Sequence, residues 1–126
     1  MKALLLIAHG SREGDCARVM EKILKKVKSS GVIGLAEVAY VQFQHPTIEE
    51  AVRSLTDSGA KEILAVPFFL FEGVHVKCDI PHQLRKAASE YPAVKIFLTR
   101  PLGYDDKLVD IILVRISGEK EVLTCI

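Results

Sequence analysis

Three of the four histidines in this chain, His9, His45 and His75, each stand just beyond an apolar run. Imidazole is the commonest side-chain ligand for divalent cobalt, nickel, zinc or iron. It also takes up a proton near neutral pH, since its ordinary pKa is about 6.5. A site that must hold a transition metal and remove a proton therefore favours this side chain. A single histidine is more often a surface or core side chain, so the weight rests on the three together. Gly10 follows His9, and Gly73 lies two residues before His75. Glycine permits a sharp turn and a close approach of backbone to ligand, although both can also serve as plain turns. Ser11 can cap a helix or face a ligand, and Arg12 can meet a carboxylate or lie on the surface. Pro67-Phe68-Phe69-Leu70-Phe71 sets three phenylalanines beside the third histidine. Some of them must pack as core, and the remainder would suit a large, flat, aromatic ligand.

The elements that position these residues alternate strand and helix. Ala3 to Ala8 is a continuous apolar run, as in a strand buried on both faces. Cys16, Val19, Met20, Ile23, Leu24 and Val27 recur at spacings of 3 and 4, which predicts a helix with one apolar stripe. Lys22, Lys25, Lys26 and Lys28 fall on its solvated face. Ser29-Ser30-Gly31 ends it. Leu35 to Phe43 reads as the second strand. Thr47-Ile48-Glu49-Glu50 is a capping box opening a helix with Ile48, Ala51, Val52 and Leu55 inward. Glu62 to Val66 is the third strand, and Pro67 to Lys77 a longer connection. Asp79 is the expected cap of the next helix, with Pro81 in its first turn. Ile80, Leu84, Ala87, Ala88 and Tyr91 face inward, and His82 sits near this helix's start. Val94 to Leu98 is the fourth strand. A last helix starts near Asp105, with Leu108, Ile112 and Ile116 on its core side.

Short connections between alternating strands and helices imply right-handed crossovers and a parallel sheet covered on both sides. The expected fold is α/β: a flavodoxin-like three-layer sandwich with a four-stranded parallel sheet. One domain is expected over 1–126, with its core in 1–116 and a tail or edge element in 117–126. Ligands of such sheets bind beyond the carboxyl ends of the strands. That rule gathers His9, His45 and His75 at one edge.

Other classes are disfavoured. The 126 residues carry a formal net charge of +1, and no basic run interleaves with aromatics, so nucleic acid is not an expected partner. Cys16, Cys78 and Cys125 are odd in number and widely spaced, which fits a reducing, cytoplasmic setting and a buried thiol at Cys16. The first apolar run is too short for a signal peptide or a membrane span, and no other run reaches membrane length. There is no G-x-G-x-x-G, P-loop or G-x-S-x-G motif. Ala8 precedes His9, so the Arg-His-Gly of the phosphohistidine phosphatases is absent as well.

Ala8-His9-Gly10-Ser11-Arg12 resembles the opening motif of the sirohydrochlorin chelatases. The stretch from Pro67 to Pro81, with Gly73-Val74-His75 and Asp79-Ile80-Pro81, resembles their second motif. Tyr40 to Thr47 resembles the segment between them. The resemblance runs from Met1 to about Ile116 and is similar in length to the short, single-domain archaeal cobaltochelatases. It implies insertion of Co²⁺, the substrate metal, into sirohydrochlorin, in the early-cobalt branch of cobalamin biosynthesis. No organic cofactor is implied. Carried over by position, His9 and His75 match the two metal-binding histidines, and His9 the proton acceptor. His45, Leu70, Phe71, Glu72, Gly73, Val74 and His75 match the lining of the tetrapyrrole. Arg12, Lys77 and the helix starts after Gly10 and Asp79 are candidates to meet the ligand's carboxylates. Many relatives carry a glutamate where this chain has Gln42, and His45 is a candidate replacement. A site so large for so small a chain implies a homodimer. The alternatives are Ni²⁺ or Fe²⁺ insertion into the same ring, a carrier that binds ring and metal without catalysing their union, and a structural module of the same fold.

Overall fold

The computed structural model describes residues 1–12 and 14–123, with only the backbone of His75. Four strands, β1 (Lys2–Ala8), β2 (Leu35–Tyr40), β3 (Glu62–Pro67) and β4 (Lys95–Leu98), alternate with helices α1 (Cys16–Ser29), α2 (Ile48–Asp57), α3 (Ile80–Glu90) and α4 (Asp106–Ser117). All strand pairs are parallel, and the order is β2-β1-β3-β4. The chain is thus an α/β protein with the expected four-stranded parallel sheet.

The sheet's two faces sort by strand alternation. Ala3, Leu5 and Ile7 of β1 pack with Ile48, Ala51, Val52 and Leu55 of α2 and with Ile80, Leu84 and Ala87 of α3. Leu4, Leu6 and Ala8 face the other way, onto Met20 and Leu24 of α1. β1 is central, so both its faces are covered, which explains its unbroken apolar run. The capping box at Thr47 forms as expected. Thr47 accepts from the Glu50 backbone N–H, and the Glu50 carboxylate accepts from that of Thr47.

Four expectations require correction. β2 stops at Tyr40, three residues short of Phe43, because the chain turns there: Phe43 has φ of 69° and the His45–Pro46 bond is cis. Asp79 is not a helix cap. A π-helical turn, His75–Asp79, runs directly into α3, and Asp79 has helical dihedrals with no capping bond. Cys16 is half-buried rather than buried. The last correction is the largest. No residue of α4 is buried: Ile112 is 58% and Ile116 61% exposed, and Leu108 is only half-buried. The sandwich is therefore open beyond β3, where Phe97 and Leu98 of the edge strand are also exposed. Cys125 lies outside the described residues, and 118–123 forms no regular element.

Candidate functional site

The strand order places the loops after β2, β1 and β3 side by side at the carboxyl edge. His9 leaves the end of β1, half-buried. The β2 loop is laced over it. Val41 N–H donates to Ala8 O and Gln42 N–H to His9 O, so backbone pairing between the two segments continues past Tyr40. Gly10 is required here. Its φ is +97°, and a Cβ would overlap the carbonyl oxygen of Gln42. Ser11 N–H donates to the Gln44 side-chain oxygen at 2.7 Å, and the Arg12 guanidinium stacks 4.6 Å from the Phe43 ring centre. Phe43 in turn meets the His9 ring edge-on, with centroids 6.1 Å apart.

Among the described residues, Gly10 and Gln42 both bond the imidazole of His9. Nδ1 lies 3.1 Å from the carbonyl oxygen of Gly10, and Nε2 lies 2.7 Å from the side-chain nitrogen of Gln42. A carbonyl can only accept, so Nδ1 carries the proton. Nε2 shares its hydrogen bond with the Gln42 side-chain amide, which can serve either a donor or an acceptor.

His45 is placed differently. Its Nδ1 lies 2.7 Å from Glu50, and its side chain is largely exposed. It is tied to the capping box of α2, while Gln42 is the second-loop side chain bonded to His9. The backbone N–H and His45 together pull the Glu50 carboxyl down to about 2, the Thr47 backbone bond being the larger cause.

The third loop supplies the apolar surface. Phe68 and Phe69 pack inward against the two core clusters. Leu70, Phe71 and Val74 point outward, with Phe71 82% exposed. Phe43 adds a fourth exposed apolar side chain from the second loop. His75 begins the π-helical turn, at the end of this loop. Glu72 lies 4.0 Å from Lys77, so that lysine already has an acidic neighbour. Beside Leu70 and Glu72, a shallow cavity of about 320 Å³ is completed by Arg100, Pro101, Leu102, Gly103 and Tyr104. The residues after β4 were not among those expected from the sequence, although the same strand-end rule that selected the other loops applies to them. Among the described residues, no three His, Cys, Asp or Glu side chains cluster as a metal centre. The helix starts expected to meet the ligand's carboxylates lie further along the chain than the sequence suggests or are preceded by a turn. α1 begins only at Cys16, and α3 continues the preceding turn.

A protein-family model described as CbiX matches residues 3–119. The chain belongs to the CbiX family. The sirohydrochlorin cobaltochelatase of Methanocaldococcus jannaschii is 33% identical over 142 aligned positions, covering 94% of this chain and 99% of that protein. The sirohydrochlorin ferrochelatase of Priestia megaterium is 32% identical over 117 residues, which cover 93% of this chain but 44% of that protein. The crystal structure of the sirohydrochlorin chelatase SirB from Bacillus subtilis subspecies spizizenii in complex with cobalt superposes with a TM-score of 0.84 at 31% identity. It is covered to 49% by this chain, and this chain to 91% by it. This CbiX-family chain thus spans about half the length of some relatives and nearly all of another.

Proposed function

We propose that this chain is a sirohydrochlorin cobaltochelatase, which inserts Co²⁺ into the ring on the route to a cobalamin-type product. The observation that carries this reading is the end-to-end match to a protein of that name, 99% of which is covered. Metal insertion exchanges one divalent cation for two pyrrole N–H protons. His9 and His75 hold the cation with coordination positions left open, as a catalytic metal site requires. As the metal passes to the ring nitrogens, Nε2 of His9 is released and accepts one of the protons, and the other passes to solvent water. General-base help of this kind contributes about 10²–10⁴-fold in rate. Leu70 to His75, with His45 on the neighbouring loop, line the macrocycle. The exposed Phe71, Leu70, Val74 and Phe43 give its flat face an apolar support. The protein works in the cytoplasm, where its thiols stay reduced. No described helix is long and apolar enough to cross a membrane.

A second copy completes the molecule. Val109, Ile111, Ile112, Leu113, Val114 and Ile116 leave α4 apolar around most of its circumference, beside the exposed Phe97 and Leu98 of β4. A helix apolar all round belongs in an interior. Two copies joined over this face form a homodimer of about the length of the relatives that this chain half covers.

A specific finding supports iron as the alternative substrate: the relative from Priestia megaterium is a sirohydrochlorin ferrochelatase. The deciding experiment mixes protein, sirohydrochlorin and Co²⁺, Ni²⁺ or Fe²⁺ without oxygen, and follows the ring's absorbance. Insertion of Co²⁺ faster than without protein, and lost in both His9→Ala and His75→Ala, is expected. Fastest insertion of Fe²⁺ or Ni²⁺ would reassign the metal. Tetrapyrrole binding with no acceleration would leave a carrier.

A further inference from the structure

We propose that the loop after β4 forms a carboxylate site, with Arg100 as its cation, that takes the acidic rim of the tetrapyrrole. The identity of the ligand rests on the chelatase reading above; the site itself stands on a cavity and its charges. β4 ends at Leu98, yet the chain beyond it stays bonded to its neighbour. Thr99 N–H donates to Ala65 O at 2.9 Å, Leu102 N–H to Pro67 O at 3.3 Å and Gly103 N–H to Phe69 O at 3.1 Å. From the first of these bonds to the second, the segment after β4 advances by one residue more than its partner. Arg100 and Pro101 thus form a bulge-like step, the kind that re-aims a side chain at the rim of a sheet. Pro101 has no N–H to pair there. Thr99 Oγ1 donates to the Arg100 carbonyl at 2.9 Å. The backbone at Arg100 is thereby fixed beside the third loop.

The cavity of about 320 Å³ at this step joins an apolar wall to an uncommitted cation. Leu70, Pro101, Leu102 and Tyr104 line it together with Arg100 and Glu72. The nearby acids are engaged. Glu72 lies 4.0 Å from Lys77, Asp105 accepts from the Lys107 backbone N–H, and the Tyr104 hydroxyl donates to Asp106. The other two arginine and lysine side chains of this edge are engaged as well, Arg12 over the Phe43 ring and Lys77 with Glu72. Arg100 is exposed, and among the described residues it makes no ion pair. A guanidinium is permanently charged, and its fork matches the two oxygens of a carboxylate. Leu70 belongs both to this cavity and to the exposed apolar surface of Phe71 and Val74. A flat ring resting on that surface therefore brings its rim to Arg100. Apolar support beside a well-placed charge is what such an amphipathic ligand requires.

The test uses the whole chain. Binding of sirohydrochlorin without metal is followed by the ring's absorbance, and insertion kinetics with Co²⁺ are then measured. Arg100→Gln is expected to weaken binding about tenfold, the effect of one lost charge-assisted hydrogen bond, and to raise KM by a similar factor with kcat little changed. Arg100→Lys keeps the charge without the fork and should recover part of the loss. The difference between wild type and Arg100→Gln should shrink as salt is added. Far-UV circular dichroism should be the same for all three proteins, because Arg100 lies outside both core clusters. An Arg100→Gln variant with wild-type binding and KM would overturn the proposal and leave the chelatase reading intact. So would a loss confined to kcat. Wild-type protein that binds sirohydrochlorin through Arg100 but accelerates no insertion would keep the site and remove the chelatase reading.

Discussion

At the scale of single residues, the site depends on how closely two loops approach. Gly10 has a left-handed φ of +97° and lies against the Gln42 carbonyl. Gly10→Ala should therefore cost about 1–3 kcal/mol for the backbone conformation alone. Chemical denaturation would show the loss as a lower midpoint, and the displaced second loop should slow metal insertion further. His9 and this glycine were legible in the sequence, because the end of a buried strand is a place where ligands collect. Gln42 was legible only as a missing carboxylate. Its bond to His9 joins residues 33 apart in the chain, and no local pattern reports such a contact. For the same reason His45 looked like the natural substitute. Its actual partner, Glu50, serves the next helix.

At the scale of elements, α2 shows how local chemistry can set a boundary. Thr47 and Glu50 satisfy each other's backbone N–H groups, and Thr47→Ala should destabilise the protein by about 1 kcal/mol. The Glu50 carboxyl sits near pKa 2 in the folded chain, against 4.5 ordinarily. A lowered folded pKa stabilises the charged form, so the benefit is complete above about 4.5 and is lost as pH falls toward about 2. The stability gap between wild type and Glu50→Gln, read from urea midpoints, should therefore close across that window. Strand and helix cores were legible from period and apolar content alone. Two boundaries were not. Val41-Gln42-Phe43 continues the strand-like pattern of β2, yet the backbone turns at a positive φ. Asp79 before Ile80-Pro81 has the look of a cap, but the π-helical turn has already begun at His75.

At the scale of the whole molecule, sequence periodicity says which side chains share a face and leaves open what covers that face. Leu108, Ile112 and Ile116 do lie on one side of α4, as their spacing implies, yet no layer of the described residues buries them. With a second copy as cover, Ile112→Lys with Ile116→Lys should convert a dimer to a monomer in sedimentation experiments. The far-UV circular dichroism should remain unchanged, because the sheet and its carboxyl-edge loops do not depend on that face. A dimer that persists in this variant would place the interface elsewhere.

The bare α4 also bears on how long the protein survives. A twelve-residue helix is marginal in water by itself. When it borrows its stability from a neighbour, that stability follows mass action. Newly made or diluted copies would then present α4 to proteases first, while the strands remain closed. The amount of protein in the cell would thus help set its own rate of turnover.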